Sequence, residues 1–173
     1  MKVTLTHDGK SVELDLTAEQ MTALGLKEEK KRTGYERVEQ GHFYFSIETS
    51  GNAISQLDAG GSYSDDCYST ANYYSDFELA KANARADRLM RNLRRFAAEN
   101  GGISSVDELK MNDDYHYIIY YNYATRRLWV DSMSITRRPG DVCFKSEDAA
   151  SDAIRVFHDE LIWYFTEYEA MLR

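Results

Sequence analysis

The groups of widest chemical reach in this 173-residue chain are four histidines, His7, His42, His116 and His158, and two cysteines, Cys67 and Cys143. An imidazole can act as a base or a metal ligand and a thiolate as a nucleophile, but each needs a partner at workable spacing. No histidine stands in a His-Glu-x-x-His pattern, which would set two imidazoles on one helical face around zinc. Asp113-Asp114-Tyr115-His116 joins carboxylates to an imidazole. Adjacent residues alternate faces on a strand, so a polar strand edge is expected there. His158-Asp159-Glu160 falls on an expected helix, where neighbours diverge, and reads as solvated surface. Asp65-Asp66-Cys67 offers a thiol without a histidine to activate it. Gly60-Gly61 lacks the Gly-Lys-Ser/Thr continuation of a phosphate-binding loop. The cysteines have no metal spacing and read as reduced structural thiols. No catalytic residue, metal site or cofactor is expected, and so no enzyme.

The chemistry that the spacing does favour is ionic. Lys81, Arg85, Arg88, Arg91 and Arg95 recur at intervals of 4, 3, 3 and 4 and share one helical stripe. From Leu79 to Ala98 six basic residues, Arg94 included, face only Asp87, in a chain of formal net charge -8. Such a stripe is either a solvated face beside acidic neighbours or a docking strip for nucleic acid or an acidic partner. The stretch from Ser146 to the end inverts the sign, with seven acids (among them Asp152, Asp159 and Glu160) against Arg155 and Arg173. The two helices can lie side by side. Exposed pairs between them are worth little each but can set their orientation.

The elements that must position these charges follow from local pattern. The chain is organised around Asn72-Tyr73-Tyr74-Ser75-Asp76-Phe77-Glu78-Leu79-Ala80 and the helix it launches. Ser75 with Glu78 fits a capping box, and Asp76 is a second candidate cap. Leu79, Ala82, Ala86, Leu89, Met90, Leu93, Phe96 and Ala97 make one apolar arc, and Gly101-Gly102 ends the helix. Val142-Cys143-Phe144 and Ser146-Glu147-Asp148-Ala149-Ala150 repeat the arrangement and open a helix running to the end of the chain. An aromatic-rich hairpin precedes each copy: 35–47 with 53–57, and 115–123 with 128–135. The second of these holds the strongest strand, expected at the centre of a sheet. Phe144 follows Tyr74 by 70 positions and Tyr115 follows Phe43 by 72. A duplicated ββα-type unit accounts for both offsets. Residues 58–70, rich in Gly, Ser, Asp and Tyr, read as the longest loop. Upstream, Asp8-Gly9 favours a tight turn between two alternating strands, and Thr17 with Gln20 fits a capping box.

The expected fold is therefore α+β. An antiparallel sheet from the duplicated unit carries two long helices on one face. The N-terminal hairpin and helix (1–32) form an appendage to the main domain (33–173, copies 33–102 and 103–173). Apolar residues at 43% and charged residues at 29% suit a packed globule, and a single proline argues against disordered linkers. The 13 tyrosines bring contact area with a polar tip, which suits a sheet's solvated face or a binding face. Met1-Lys2-Val3-Thr4-Leu5 has no signal-peptide character, and no apolar run approaches ~18 residues. A cytoplasmic location and no membrane partner are expected.

Tyr35-Glu36-Arg37-Val38, Phe43-Tyr44-Phe45, Ser50-Gly51, Asn72-Tyr73-Tyr74 and Glu78-Leu79-Ala80, followed by Val142-Cys143-Phe144, Ser146-Glu147, Ala150 and Ala153-Ile154, form a pattern. It resembles a family of small phage and prophage proteins found mainly in Firmicutes. There a hairpin leads to a Gly-Asn-Tyr-Phe segment and a helix opening with acids and alanines. A second hairpin then leads to a Phe-x-Ser-x-x-x-Ala helix. Ala71 stands where the family favours glycine, and Tyr74 where it favours phenylalanine. The likeness spans about residues 35–165 and transfers no catalytic residue. It implies a phage accessory protein, a class whose small acidic members include inhibitors of host defence, anti-CRISPR proteins among them.

The expected function is a non-enzymatic protein that binds and inhibits a host protein, a nucleic-acid-handling nuclease such as a Cas effector, inside an infected or lysogenic bacterium. Carboxylates standing in for phosphates would occupy a basic channel. Asp58, Asp65, Asp66, Asp152, Asp159 and Glu160 are the acidic candidates. The alternative is a nucleic-acid-binding module using Lys81, Arg85, Arg88, Arg91 and Arg95, with exposed tyrosines stacking on bases. A virion or scaffolding component is a third reading.

Overall fold

The computed structural model describes residues 2–25, 32–102, 116–133 and 140–172. Ser105-Val106-Asp107-Glu108-Leu109-Lys110, whose pattern suits a short helical turn, and most of Arg137-Arg138-Pro139-Gly140, whose Pro-Gly pair suits a turn, lie outside them. The chain divides into two compact units, Met1–Thr33 and Gly34–Arg173.

In the first unit, β1 (Lys2–His7) pairs antiparallel with β2 (Lys10–Asp15) from Lys2↔Asp15 to His7↔Lys10. Asp8 (φ 49) and Gly9 (φ 75) both take positive φ, as the tight turn between twisted strands requires. Helix α1 (Ala18–Ala23) opens with the reciprocal bonds of a capping box. The Gln20 amide donates to Thr17 Oγ1 at 3.3 Å, and the Thr17 amide to Gln20 Oε1 at 2.9 Å.

The second unit holds β3 (Phe43–Ile47), β4 (Ala53–Leu57), α2 (Ser62–Ser69), α3 (Phe77–Glu99), β5 (His116–Asn122), β6 (Arg127–Met133), α4 (Glu147–Val156) and α5 (His158–Trp163). A π-helical turn at Tyr164–Tyr168 and a last short turn, α6 (Glu169–Met171), close it. Strands and helices mix as an α+β fold. The duplication is visible in the backbone. Phe45 exchanges two N–H···O bonds with Tyr74, at 2.8 and 2.9 Å, and Tyr117 exchanges two with Phe144, at 2.9 and 2.8 Å. Two residues after each bridge stands the helix cap. Asp76 Oδ1 accepts from the Leu79 amide at 2.8 Å, and Ser146 Oγ accepts from the Ala149 amide at 3.2 Å. Each unit is thus a hairpin whose inner strand is flanked by a one-residue third strand that leads directly into a helix.

The structure departs from the expected architecture in four places. The hairpins stay separate, with no ladder between β3–β4 and β5–β6 among the described residues. The free edge of each inner strand is occupied by its own bridge residue, Tyr74 or Phe144, and the described strands form separate two-stranded sheets. The last helix is segmented. It breaks at Phe157 (φ -111, ψ 21), and its end is wound as a π turn. Of the two candidate caps of α3, Asp76 is the one used and the Ser75–Glu78 box does not form its cap, since Ser75 donates to Glu36 Oε2 at 3.1 Å. Finally, the expected loop contains α2, which covers the second face of the β3–β4 hairpin.

Because α2 lies on one side and α3 on the other, both faces of β3 are covered. Tyr44 and Ser46 are fully buried, while Phe45 and Ile47 pack with Tyr74, Leu79 and Ala80. The main core gathers Leu89, Leu93 and Ala97 of α3 with Phe144, Ala149, Ala150, Ala153 and Leu161. Tyr117, Ile119, Leu128 and Val130 close it from the β5–β6 side. The alanines matter here, since small side chains let α4 approach α3 and the hairpin closely.

Candidate functional site

The stretch 71–76 gives every residue a separate task. Ala71 takes φ 57, the left-handed region where an L side chain is strained. It stops α2 so that Asn72 can bond back to the Cys67 carbonyl at 2.8 Å. The Asn72 amide then acts as a length of strand. Its Oδ1 accepts from the Ile47 amide at 2.7 Å, and its Nδ2 donates to the Ile47 carbonyl at 2.9 Å. Tyr73 is stacked on Tyr44, ring centroids 4.0 Å apart, and its hydroxyl donates to Asp58 Oδ2 at 2.9 Å while accepting from the Val38 amide. Tyr74 makes the bridge to Phe45.

Asp58 is correspondingly not a surface acid. It is 1% exposed and accepts from the Gly60 amide at 2.9 Å, from Tyr73 and from Arg37 Nε at 3.3 Å. The Gly60 amide, with the Tyr73 hydroxyl and the Arg37 guanidinium, holds its carboxyl below the usual carboxylate range, against the opposing effect of burial. The expectation that Asp58 meets a partner is corrected: its charge is consumed in tying the end of β4 to Tyr73. Arg37 also bonds Asp65 at 2.6 Å and lies over the Tyr68 ring. Asp66 remains on the surface. The Tyr44 hydroxyl is buried beside Cys67 and Ser64 without hydrogen-bond geometry to either, and burial pushes it up to about 12.

The basic stripe runs along an open groove of about 460 Å³. Lys81, Ala84, Arg85, Arg88, Leu89 and Asn92 of α3 form its floor. The turn Gly51-Asn52-Ala53 makes one wall, and Phe157 and Glu160 the other. Each cation is placed by a specific contact. Arg85 bonds both Glu160 oxygens, Nε to Oε2 at 2.8 Å and Nη2 to Oε1 at 3.0 Å, with its guanidinium carbon 3.9 Å from the Trp163 ring centre. Arg88 Nη2 donates to the Gly51 carbonyl at 2.9 Å, which fastens the β3–β4 turn to α3. Lys81 pairs with Glu78 at 3.1 Å on the surface. Among the described residues the lining therefore carries three cations and one carboxylate.

Of the expected basic residues, Lys81, Arg85 and Arg88 converge in this groove. Arg91 turns toward Gly51, its Nη2 only 3.1 Å from where a Cβ there would stand. Arg95 lies a turn further on and bonds Asn92. Of the acids, Glu160 is inside the groove. Asp152 pairs with Arg155 at 2.9 Å, and Asp159 is wholly exposed beside His158. Asn92 continues the 81–85–88 spacing and could have been found from it. Asn52 and Phe157 could not, since they reach the groove only through the hairpin and the helix break.

Among the described residues no group of three or more His, Cys, Asp or Glu side chains could hold a metal ion, and no helix is long and apolar enough to cross a membrane. His116 is fully buried in β5, and Asp113 and Asp114 lie outside the described residues. What the fold and the groove define is an α+β protein with a cationic cleft on its longest helix. No protein-family model, curated protein or solved structure matches the chain.

Proposed function

We propose that the chain is a non-enzymatic phage accessory protein that binds and inhibits a host defence protein, a nucleic-acid-handling nuclease of the Cas effector type, in the bacterial cytoplasm. One observation supports this reading: the acids of α4 and α5 are presented on helices anchored in the core. Ala149, Ala150 and Ala153 are buried while Glu147, Asp148, Asp152 and Asp159 face outward. Carboxylates held in this way can compete for a channel built to receive phosphates. The direct test is a cleavage assay with purified Cas effector nucleases of several types and the protein titrated in. Inhibition that weakens with salt and is lost in Asp152→Lys/Asp159→Lys supports the reading. Undiminished cleavage across all of them counts against it.

A second reading, a nucleic-acid-binding module, is favoured by a different observation. Lys81, Arg85 and Arg88 line a concave site instead of being scattered on a convex face. Salt-sensitive retardation of an oligonucleotide is its test, and no retardation at low salt removes it. The two readings are compatible, because an inhibitor can engage a protein and the nucleic acid that protein holds.

A further inference from the structure

We infer that the α3 groove is a site for one nucleotide unit of single-stranded nucleic acid, with the phosphate on Lys81 and Arg88 and the base against Phe157. This rests on the nucleic-acid reading above and narrows it to a ligand class. The volume of about 460 Å³ falls in the range of pockets that enclose small molecules. Its floor between the cations is apolar, formed by Ala84 and Leu89, and two asparagines line it, Asn52 on the turn and Asn92 on α3. An inorganic anion or an acidic side chain would use the charges alone. A nucleotide also uses the apolar surface and the amides.

The donors for a phosphate are present. A guanidinium carries five N–H groups in a fixed fork. Arg88 engages the Gly51 carbonyl through Nη2, and Arg85 engages Glu160 through Nε and Nη2, so each has further donors to turn toward the groove. Holding these forks in place beforehand lowers the entropy lost on binding. The net charge of -8 does not oppose this at close range. At physiological ionic strength an exposed charge acts over about 8 Å, so the lining dominates.

The concavity selects the strand state. The cations lie on a floor between the β3–β4 turn and the start of α5. A duplex is a stiff convex rod and touches the rim. A single strand can turn one nucleotide inward and stack its base on an aromatic ring, an interaction worth roughly 1–3 kcal/mol per base.

The test uses the full chain and three probes: a labelled fifteen-nucleotide oligothymidylate, the same sequence as a duplex, and thymidine monophosphate. Fluorescence anisotropy at low and physiological salt should show the single strand bound at least tenfold more tightly than the duplex. Lys81→Glu, where the lysine pairs with Glu78 and lies over the Phe77 ring on the surface, and Arg88→Glu should each weaken binding about tenfold or more with an unchanged circular dichroism spectrum. In a Trp129→Phe background, thymidine monophosphate should change Trp163 emission, because Arg85 lies on that ring. A response to the oligonucleotide but not to the mononucleotide places the affinity in the strand and still supports the site. Equal or tighter duplex binding overturns this inference and leaves the nucleic-acid reading standing. Binding that ignores both substitutions moves the site elsewhere and overturns the groove assignment. Preference for an oligoglutamate over the single strand overturns it in favour of an acidic peptide. No salt-sensitive binding of either strand form overturns both readings.

Discussion

Arg85 grips Glu160 through two N–H···O bonds of 2.8 and 3.0 Å, and this pair ties the middle of α3 to α5 across 75 residues of sequence. The partners are 42% and 45% exposed, so the ion pair itself contributes at most about 1 kcal/mol. Glu160→Gln should therefore lower stability only slightly. It also removes the one carboxylate lining the groove. A unit charge ~7 Å away across water is worth ~0.6 kcal/mol, so oligonucleotide affinity should rise about two- to threefold. Thermal melts and anisotropy separate the two effects. Arg85→Ala should be the more damaging change, since it also removes the contact with Trp163, worth roughly 0.5–2 kcal/mol.

The duplicated unit makes a paired prediction. Asp76 and Ser146 perform the same task, each accepting the amide three residues on. Asp76→Ala and Ser146→Ala should each cost about 1 kcal/mol, read from urea denaturation with an unchanged slope. A large loss for one and none for the other would show that only one helix start matters to the folded state.

Ala71 should be improvable. Its φ of 57 places a β-carbon where glycine is at ease. Relief of a left-handed alanine is worth about 1 kcal/mol, somewhat reduced by the greater freedom of glycine when unfolded. Ala71→Gly should raise Tm. A lowered Tm would mean that the end of α2 is not strained as described.

Acid sensitivity should concentrate on Asp58. Its folded carboxyl titrates below its unfolded value, so its contribution is fully present above about pH 4. That contribution fades as pH falls from there through the folded value. Wild-type Tm should drop across this window. Asp58→Asn should start from a lower Tm at neutral pH and show a flatter acid limb. An identical acid limb in both would refute the assignment.

At the alkaline end the buried phenols should behave alike. Burial pushes Tyr44, Tyr73, Tyr74 and Tyr168 up to about 12, and for Tyr73 the Asp58 carboxylate adds to the effect. A raised folded value favours the fold while the phenols are neutral. This stability is complete below about pH 10, the usual tyrosine value, and is lost as pH rises from there toward 12. Absorbance near 295 nm should show an ordinary phase followed by a late one that coincides with loss of ellipticity.

How much of this was legible in the chain differs by element. The Asp8-Gly9 turn, the Thr17–Gln20 box, the hairpins and the two helix starts 70 positions apart all rest on contacts within a few residues, and local spacing is enough to reveal them. The Asn72-Tyr73-Tyr74 stretch was visible as a focus. Its tasks were not, because the partners of those residues, Ile47, Asp58 and Phe45, lie on another element. Helix α2 was invisible because its sequence, SYSDDCYS, buries only Ser64 and Cys67 and so carries almost no apolar periodicity.

By itself the sequence determined the α+β class, the repeated hairpin-and-helix order, and the sign of charge on each long helical stretch. Periodicity, caps and turns are decided by neighbours along the chain. Only the tertiary structure decided which charges remain available. It buried Asp58 under Tyr73, set Glu160 against Arg85, turned Arg91 to the hairpin, and brought Asn52 and Phe157 to the walls of one groove. The reason is physical. A charge is neutralised or exposed by whatever packs within a few ångströms of it, and here those neighbours arrive from far along the chain.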